Sequence, residues 1–178
     1  QKRYEAAVTL IAEQGFSVLV EVRKDDTVRR LLFDTGLTPS GCVDNLRRLG
    51  RDPSDIEVIV CSHGHFDHTT GLSGLVERLG RVNLPVVIHP EFWARRRLAI
   101  PGLEPFELPT AGRRALEGAG FQIVEDRRPS FLFDRHVDPV QFLEDLLDQA
   151  QEGQLEPLTA PGRSAKSEAD LNVEEAVL

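Results

Sequence analysis

Cysteine is nearly absent. Cys42 and Cys61 are the only two in 178 residues, with no CxxC spacing, so neither a disulfide framework nor a thiolate metal knuckle is indicated. Each reads as a small apolar residue, and a reducing cytoplasm is the expected compartment. Long apolar runs are also missing: none approaches the roughly 18–20 residues of a membrane-spanning helix, and no charged-then-apolar signal pattern opens the chain. GxSxG, P-loop and dinucleotide-glycine patterns do not occur, so serine hydrolases, nucleotide hydrolases and nicotinamide-dependent oxidoreductases lack their signatures here. Nor is there a basic surplus. The formal charge is −8, but residues 1–137 hold nineteen acids and nineteen bases, and residues 138–178 hold ten acids and two bases. The body is neutral, which argues against nucleic acid as a partner. Arg95, Arg96 and Arg97 read as a solvated helix face.

What is present is a run of alternating elements. The valine-rich segment 15–23 alternates apolar and polar residues as a strand does, and 28–36 returns as its hairpin partner. Residues 40–50 place Val43, Leu46 and Leu49 on one helical face, with Ser40 as a cap and Gly50 as a stop. A buried strand follows at 56–62, then a helix at 71–80 with Leu72, Leu75, Val76 and Leu79 inward and Gly80 at its end. The pattern continues with a strand at 84–90, a short helix at 91–98, and an irregular stretch over 99–112 interrupted by Pro101, Pro105 and Pro109. A turn or two of helix at 113–120 leads into strands at 121–126 and 130–134. This interleaving predicts a layered α/β or α+β domain over residues 1–137. Residues 138–150 read as an acidic amphipathic helix, and 151–178 as a largely disordered tail.

Between the 56–62 strand and the 71–80 helix lies "HGHFDH", residues 63–68, holding three of the five histidines and an aspartate. Imidazole and carboxylate are good ligands for zinc, manganese or iron, provided they converge on a point about 2 Å away. A loop launched from a rigid strand end can do that. His63 and His65 leave the same side of the chain, Gly64 gives the backbone room to wrap, and Gly71 does the same where the helix opens. Asp67 is the candidate to orient water or take its proton. The bland alternative is a polar loop or a chance surface metal site. Asp34 reads from its neighbours as a turn residue before Gly36, His89 as a strand-end histidine, and His136 as a surface residue. Phe92 and Trp93 could line a pocket for a flat ring or simply be buried.

"HGHFDH" matches the HxHxDH motif of the metallo-β-lactamase superfamily, and "LLFDTG" at 31–36 resembles that superfamily's strand-end aspartate motif. "SHGHFDHTTGL" and "VVIHPEFW" further resemble the branch named for 7,8-dihydropterin-6-methyl-4-(β-D-ribofuranosyl)aminobenzene-5′-phosphate synthase. The resemblance spans residues 12–136. It implies the first half of an αββα sandwich with metals at one edge. His63 and His65 would hold one divalent ion, Asp67 and His68 a second; zinc is the first expectation, manganese and iron the alternatives. Asp34 would be an outer partner that fixes ligand orientation, and His89 would lie near the substrate rim.

The resemblance also implies a second half that contributes a further histidine, yet no histidine follows residue 137. Asp138, Asp145, Asp148 and Asp170 qualify only as carboxylates. A catalytic zinc usually takes three protein ligands and a water. The expectation is a metallo-hydrolase acting on a small molecule through an ester, amide or phosphate-type bond, or, as the resemblance implies, through the dihydropterin-related condensation of its branch. Either the chain is a truncated or frame-shifted remnant, impaired and with an apolar sheet face exposed, or its tail covers that face, or a homo-oligomer or other partner completes it. The alternative is a non-catalytic, metal-binding remnant.

Overall fold

The computed structural model describes residues 10–24, 26–80, 83–128, Leu132, Ala165–Lys166 and Asn172–Val177. Strands β1 (Val18–Lys24) and β2 (Thr27–Phe33) form the expected hairpin, with Leu19 opposite Leu32 and Glu21 opposite Arg30. Helix α1 (Gly41–Arg48) carries the chain to β3 (Val58–Val60), which lies parallel to β2. Helices α2 (Phe66–Thr69) and α3 (Gly71–Leu79) cross to β4 (Pro85–Ile88), parallel to β3. Helix α4 (Arg113–Gly118) precedes β7 (Gln122–Glu125), parallel to β4. Between β4 and α4, β5 (Arg97–Leu98) and β6 (Phe106–Glu107) form a small separate ribbon.

Several local expectations change. Ser40 occupies the N-cap of α1, but the Thr38 hydroxyl accepts the Gly41 N–H instead, at 3.1 Å. The helix expected at 91–98 is only a 3-10 turn, Pro90–Trp93. It stops because the Arg96 side chain folds back onto the carbonyls of Glu91, Phe92 and Ala94. Arg95 and Arg97 then pair across the ribbon with Glu107, so the three arginines do not form one solvated helix face. The strand expected at 130–134 lies outside the described residues apart from Leu132, as does the helix expected at 138–150. Within the tail expected to be largely disordered, β9 (Asn172–Val177) pairs antiparallel with β1, and β8 (Ala165–Lys166) with β9. An open β1 edge would present a row of unpaired backbone groups, and a short segment bearing valines satisfies them.

The resulting sheet runs β7-β4-β3-β2-β1-β9-β8. Period-two alternation sends successive residues to opposite faces. Leu19, Leu32 and Ile59 join Leu46, Leu72 and Leu75 in the core beneath the helices. Val18, Val20, Val22, Leu31, Phe33, Val58 and Val60 form a second core on the other face. That face is not left open. These side chains are at most 7% exposed within a single copy of the chain, and Phe16, Val87 and Leu132 pack against them. Glu21 is the buried exception on the helix-facing side. Its carboxylate meets Arg30 at 2.6 Å, Arg23 at 2.8 Å and Arg51 at 3.2 Å. Burial pushes its pKa up, but the Arg30 hydrogen bond and the charges of Arg51, Arg30 and Arg23 bring it below the usual carboxylate value.

The loop after β2 seats the start of α3. The Thr35 N–H and hydroxyl both donate to the His68 carbonyl, at 2.7 and 3.0 Å. A Cβ on Gly71 would come within 1.9 Å of the Thr35 carbonyl oxygen, so only glycine allows this approach. Gly71→Ala is expected to lose about 1–3 kcal/mol of stability by overpacking, read as a lower denaturation midpoint in urea with the slope unchanged.

Candidate metal centre

Two parallel strands end side by side and deliver the site. At the end of β2, Asp34 is fully buried with φ of 53°. That left-handed backbone costs an ordinary residue about 1–3 kcal/mol, less for Asp or Asn. Its N–H donates to the Val60 carbonyl at 2.8 Å, and its own carbonyl accepts from the Ser17 hydroxyl at 3.0 Å. At the end of β3, the Ser62 N–H donates to Asp34 Oδ1 at 2.8 Å and its hydroxyl to Asp34 Oδ2 at 2.6 Å. Asp34 is thus a fixed structural carboxylate rather than only a turn residue.

The histidines follow. His63 Nδ1 lies 2.8 Å from the Ser62 hydroxyl, and His63 Nε2 lies 2.8 Å from His65 Nδ1. His65 is the N-cap residue of α2, which places Asp67 and His68 one and two residues after Phe66 in that short helix. His68 Nδ1 is 2.7 Å from Asp34 Oδ2, and His68 Nε2 is 3.6 Å from Asp67 Oδ2. The rings gather: His63 to His65 is 4.5 Å between centroids, and His63 to His68 is 4.3 Å. Backbone bonds hold the helix in place, His68 N–H to the His65 carbonyl at 3.1 Å and Phe16 N–H to the Asp67 carbonyl at 3.3 Å.

Gly64 is needed for a reason outside the loop. A Cβ there would sit 2.0 Å from the Phe92 carbonyl oxygen. Arg96 closes the same contact, donating from one nitrogen to the carbonyls of Gly64 at 3.1 Å, Phe92 at 3.1 Å and Ala94 at 2.9 Å. His89 sits at the end of β4, where its Nδ1 accepts the Glu91 N–H at 3.2 Å and caps the 3-10 turn. Phe92 is buried in the core, while the Trp93 indole donates to Glu125 at 2.8 Å with the Arg113 guanidinium over its ring. These two are packing residues, not walls of the histidine cluster. A largely apolar cavity of about 390 Å³ lies elsewhere, lined by Phe66, Thr69, Val76, Pro109 and Ala115 among others but by none of the four proposed ligands.

The electrostatics divide the histidines. Burial lowers the His63 pKa, and the neighbouring His68 and His65 lower it further. The Asp34 hydrogen bond raises that of His68 against its own burial. Burial pushes the Cys61 thiol well up, with the Asp34 charge adding to it, and pushes Cys42 up to about 11. Both cysteines therefore stay protonated, in keeping with their reading as small apolar residues.

The family implies a divalent metal, and the donor atoms accommodate one only in pairs: His63 Nε2 with His65 Nδ1, and Asp67 with His68 Nε2. Among the described residues, no three or more His, Cys, Asp or Glu side chains are arranged around one ion. His136, Asp138, Asp145, Asp148 and Asp170 lie outside the described residues. Sequence reasoning missed Ser62, Thr35 and Arg96. Ser62 could have been flagged by its place beside His63; Thr35 and Arg96 act on backbone carbonyls that no sequence pattern announces.

In the metal-free chain, imidazole NMR titration should find His68 protonating above and His63 below the ordinary value of about 6.5. A raised His68 value stabilises the fold at low pH, and that contribution fades as pH rises through it. Asp34→Asn should bring the His68 midpoint down; an unmoved midpoint would mean that Asp34 is not its cause.

The family model of the metallo-β-lactamase superfamily matches residues 10–164. A curated 7,8-dihydropterin-6-methyl-4-(β-D-ribofuranosyl)-aminobenzene-5′-phosphate synthase from Methanocaldococcus jannaschii is 34% identical over 82 residues, covering 46% of this chain and 28% of that protein. An N-acyl homoserine lactonase, AttM of Agrobacterium fabrum, is 55% identical over 29 residues, 16% of this chain and 11% of that one. The matched stretches span less than a third of the length of these curated relatives. Among solved structures, the subclass B3 metallo-β-lactamase MEM-A1 from a soil metagenome aligns with a TM-score of 0.38 and 20% identity, over 65% of this chain and 46% of that one. A quorum-quenching N-acyl homoserine lactone lactonase aligns at 0.36 and 23%, over 55% and 40%. With its strand-end aspartate, its histidine loop and a family match over most of its length, the chain belongs to the metallo-β-lactamase superfamily.

Proposed function

We propose that this chain carries the amino-terminal ligand set of a metal-dependent hydrolase. His63 and His65 would hold one divalent ion, and Asp67 and His68 a second, zinc being the best match to nitrogen-rich donors. When bound, such an ion supplies Lewis acidity and makes hydroxide available near pH 7. The chain's own residues do the rest. Asp34 anchors His68 directly and His63 through Ser62, so the two rings cannot swing away from the cluster. Asp67, with 38% of its side chain exposed, is placed to orient water or accept its proton.

The observation that carries this reading is the short His63–His65 contact of 2.8 Å beside a His68 ring held by a buried carboxylate. Ester, lactone, amide and phosphate-type bonds are the candidate substrates. The likeness to the dihydropterin-related synthase adds a synthase reaction on a dihydropterin, and the likeness to the lactonase favours lactones among the esters. A second reading, metal binding without turnover, is favoured by the lack of a three-donor group among the described residues. Turnover would then require a further ligand from additional chain or from a partner subunit.

Purified chain should take up zinc or manganese stoichiometrically, and Asp34→Asn should weaken that uptake by about 10–100-fold, the usual cost of losing an outer partner of a ligand. His65→Ala should weaken it at least as much and abolish any metal-stimulated cleavage of lactone, thioester or phosphodiester substrates. Cleavage that survives His65→Ala would place the chemistry elsewhere, and metal uptake without any cleavage would select the non-catalytic reading.

A further inference from the structure

We infer that Ser62 is a positioning residue: it passes the acceptor character of Asp34 on to His63 and thereby fixes which nitrogen of each clustered histidine carries the proton. The inference concerns the metal-free chain and stands whether or not the protein proves to be a hydrolase.

Asp34 Oδ2 is a buried acceptor with two neighbours, the Ser62 hydroxyl at 2.6 Å and His68 Nδ1 at 2.7 Å. A carboxylate has no proton to give, so both neighbours must donate to it. Ser62 has a single hydroxyl proton, and that proton is committed to Asp34. The Ser62 oxygen can therefore only accept from His63 Nδ1, 2.8 Å away, which must carry a hydrogen. A neutral imidazole protonated at Nδ1 has a bare Nε2.

The same constraint reaches across the loop to His65. His63 Nε2, bare, lies 2.8 Å from His65 Nδ1. Two lone pairs at that separation would repel, so His65 Nδ1 supplies the hydrogen. His68, donating from Nδ1 to Asp34, keeps its Nε2 bare as well when neutral. All three rings are thus held as the Nδ1–H form, the minority form of an unconstrained histidine in water. His63 and His68 present lone pairs to the cluster without rearrangement. His65 does not, because the nitrogen that faces His63 carries the proton, and engaging a cation there requires that proton to leave. The His65 side chain is exposed, so water can carry the proton from Nδ1 to Nε2 and leave the ring neutral. Of the three histidines, His65 alone must change its proton arrangement before the nitrogen that faces the cluster can act as a donor.

The test uses the full chain labelled with ¹⁵N, stripped with a chelator, and long-range ¹H–¹⁵N correlation spectra recorded at a pH where all three rings are neutral. Wild type should show the Nδ1–H pattern for His63, His65 and His68. Ser62→Ala should lose that pattern at His63, which relaxes to the Nε2–H form, while His68 keeps it through its direct bond to Asp34. Ser62→Thr, which restores a hydroxyl, should recover the wild-type pattern. A wild-type His63 protonated at Nε2 would overturn the inference, and so would a Ser62→Ala variant with His63 unchanged. If Ser62→Ala does not fold, the wild-type and Ser62→Thr spectra decide it by themselves.

Discussion

One buried carboxylate organises the functional end of this molecule. Asp34 accepts from the Ser62 backbone, the Ser62 hydroxyl and His68 Nδ1, while its own backbone bridges to Val60 and Ser17. A buried carboxylate without partners would be strongly destabilising, so its environment must supply donors. Here the donors are the very groups that have to be oriented. The cost of burying Asp34, and the left-handed backbone that aims it, are offset by hydrogen bonds that fix the loop after β3. Stability and site geometry are the same set of contacts.

The sheet makes this economical. β2 and β3 are parallel and adjacent, so their carboxyl ends open on the same edge, and ligands in α/β sheets characteristically gather outside such ends. The loop leaving β3 is then held from both sides. Thr35, following β2, takes the His68 carbonyl, and Arg96, following β4, takes the Gly64 carbonyl between the two leading histidines. Gly64 lets the loop lie against the Phe92 carbonyl, where any side chain would collide. The histidine loop has few ways to relax, which is the condition for a binding constellation to keep its geometry.

Much of this was legible in the sequence. Valine-rich alternation marked β1 and β2, the 3.6-residue spacing of Leu72, Leu75, Val76 and Leu79 marked α3, and a glycine with positive φ ends each of α1 and α3 as expected. HxHxDH marked the cluster because ligand spacing within one loop is a local property. The failures share a physical cause. The 91–98 helix was wrong because Arg96 competes for the carbonyls that a helix would use, a tertiary choice invisible to periodicity. The Ser40 cap gave way to Thr38 because Thr38 is itself held by Glu13, at 2.6 Å from its hydroxyl. β9 leaves no periodic signal because a six-residue strand in a polar tail forms only when an open edge such as β1 is there to receive it. Which alternative held for the second face could not be read from its strands, since burial depends on what the chain places over a strand and not on the strand.

Among the described residues, the contacts that shape the histidine cluster fall between residues 16 and 96, from Phe16 N–H on the Asp67 carbonyl to Arg96 on the Gly64 carbonyl. Ring orientation and the number of metal donors are therefore separable properties of this site. The first is written into a hairpin, one crossover and a short helix; the second is limited to two donors in each of two pairs among the described residues. Ring orientation thus rests on hydrogen bonds that Asp34 and Ser62 supply within the described residues, whatever else the cluster goes on to bind.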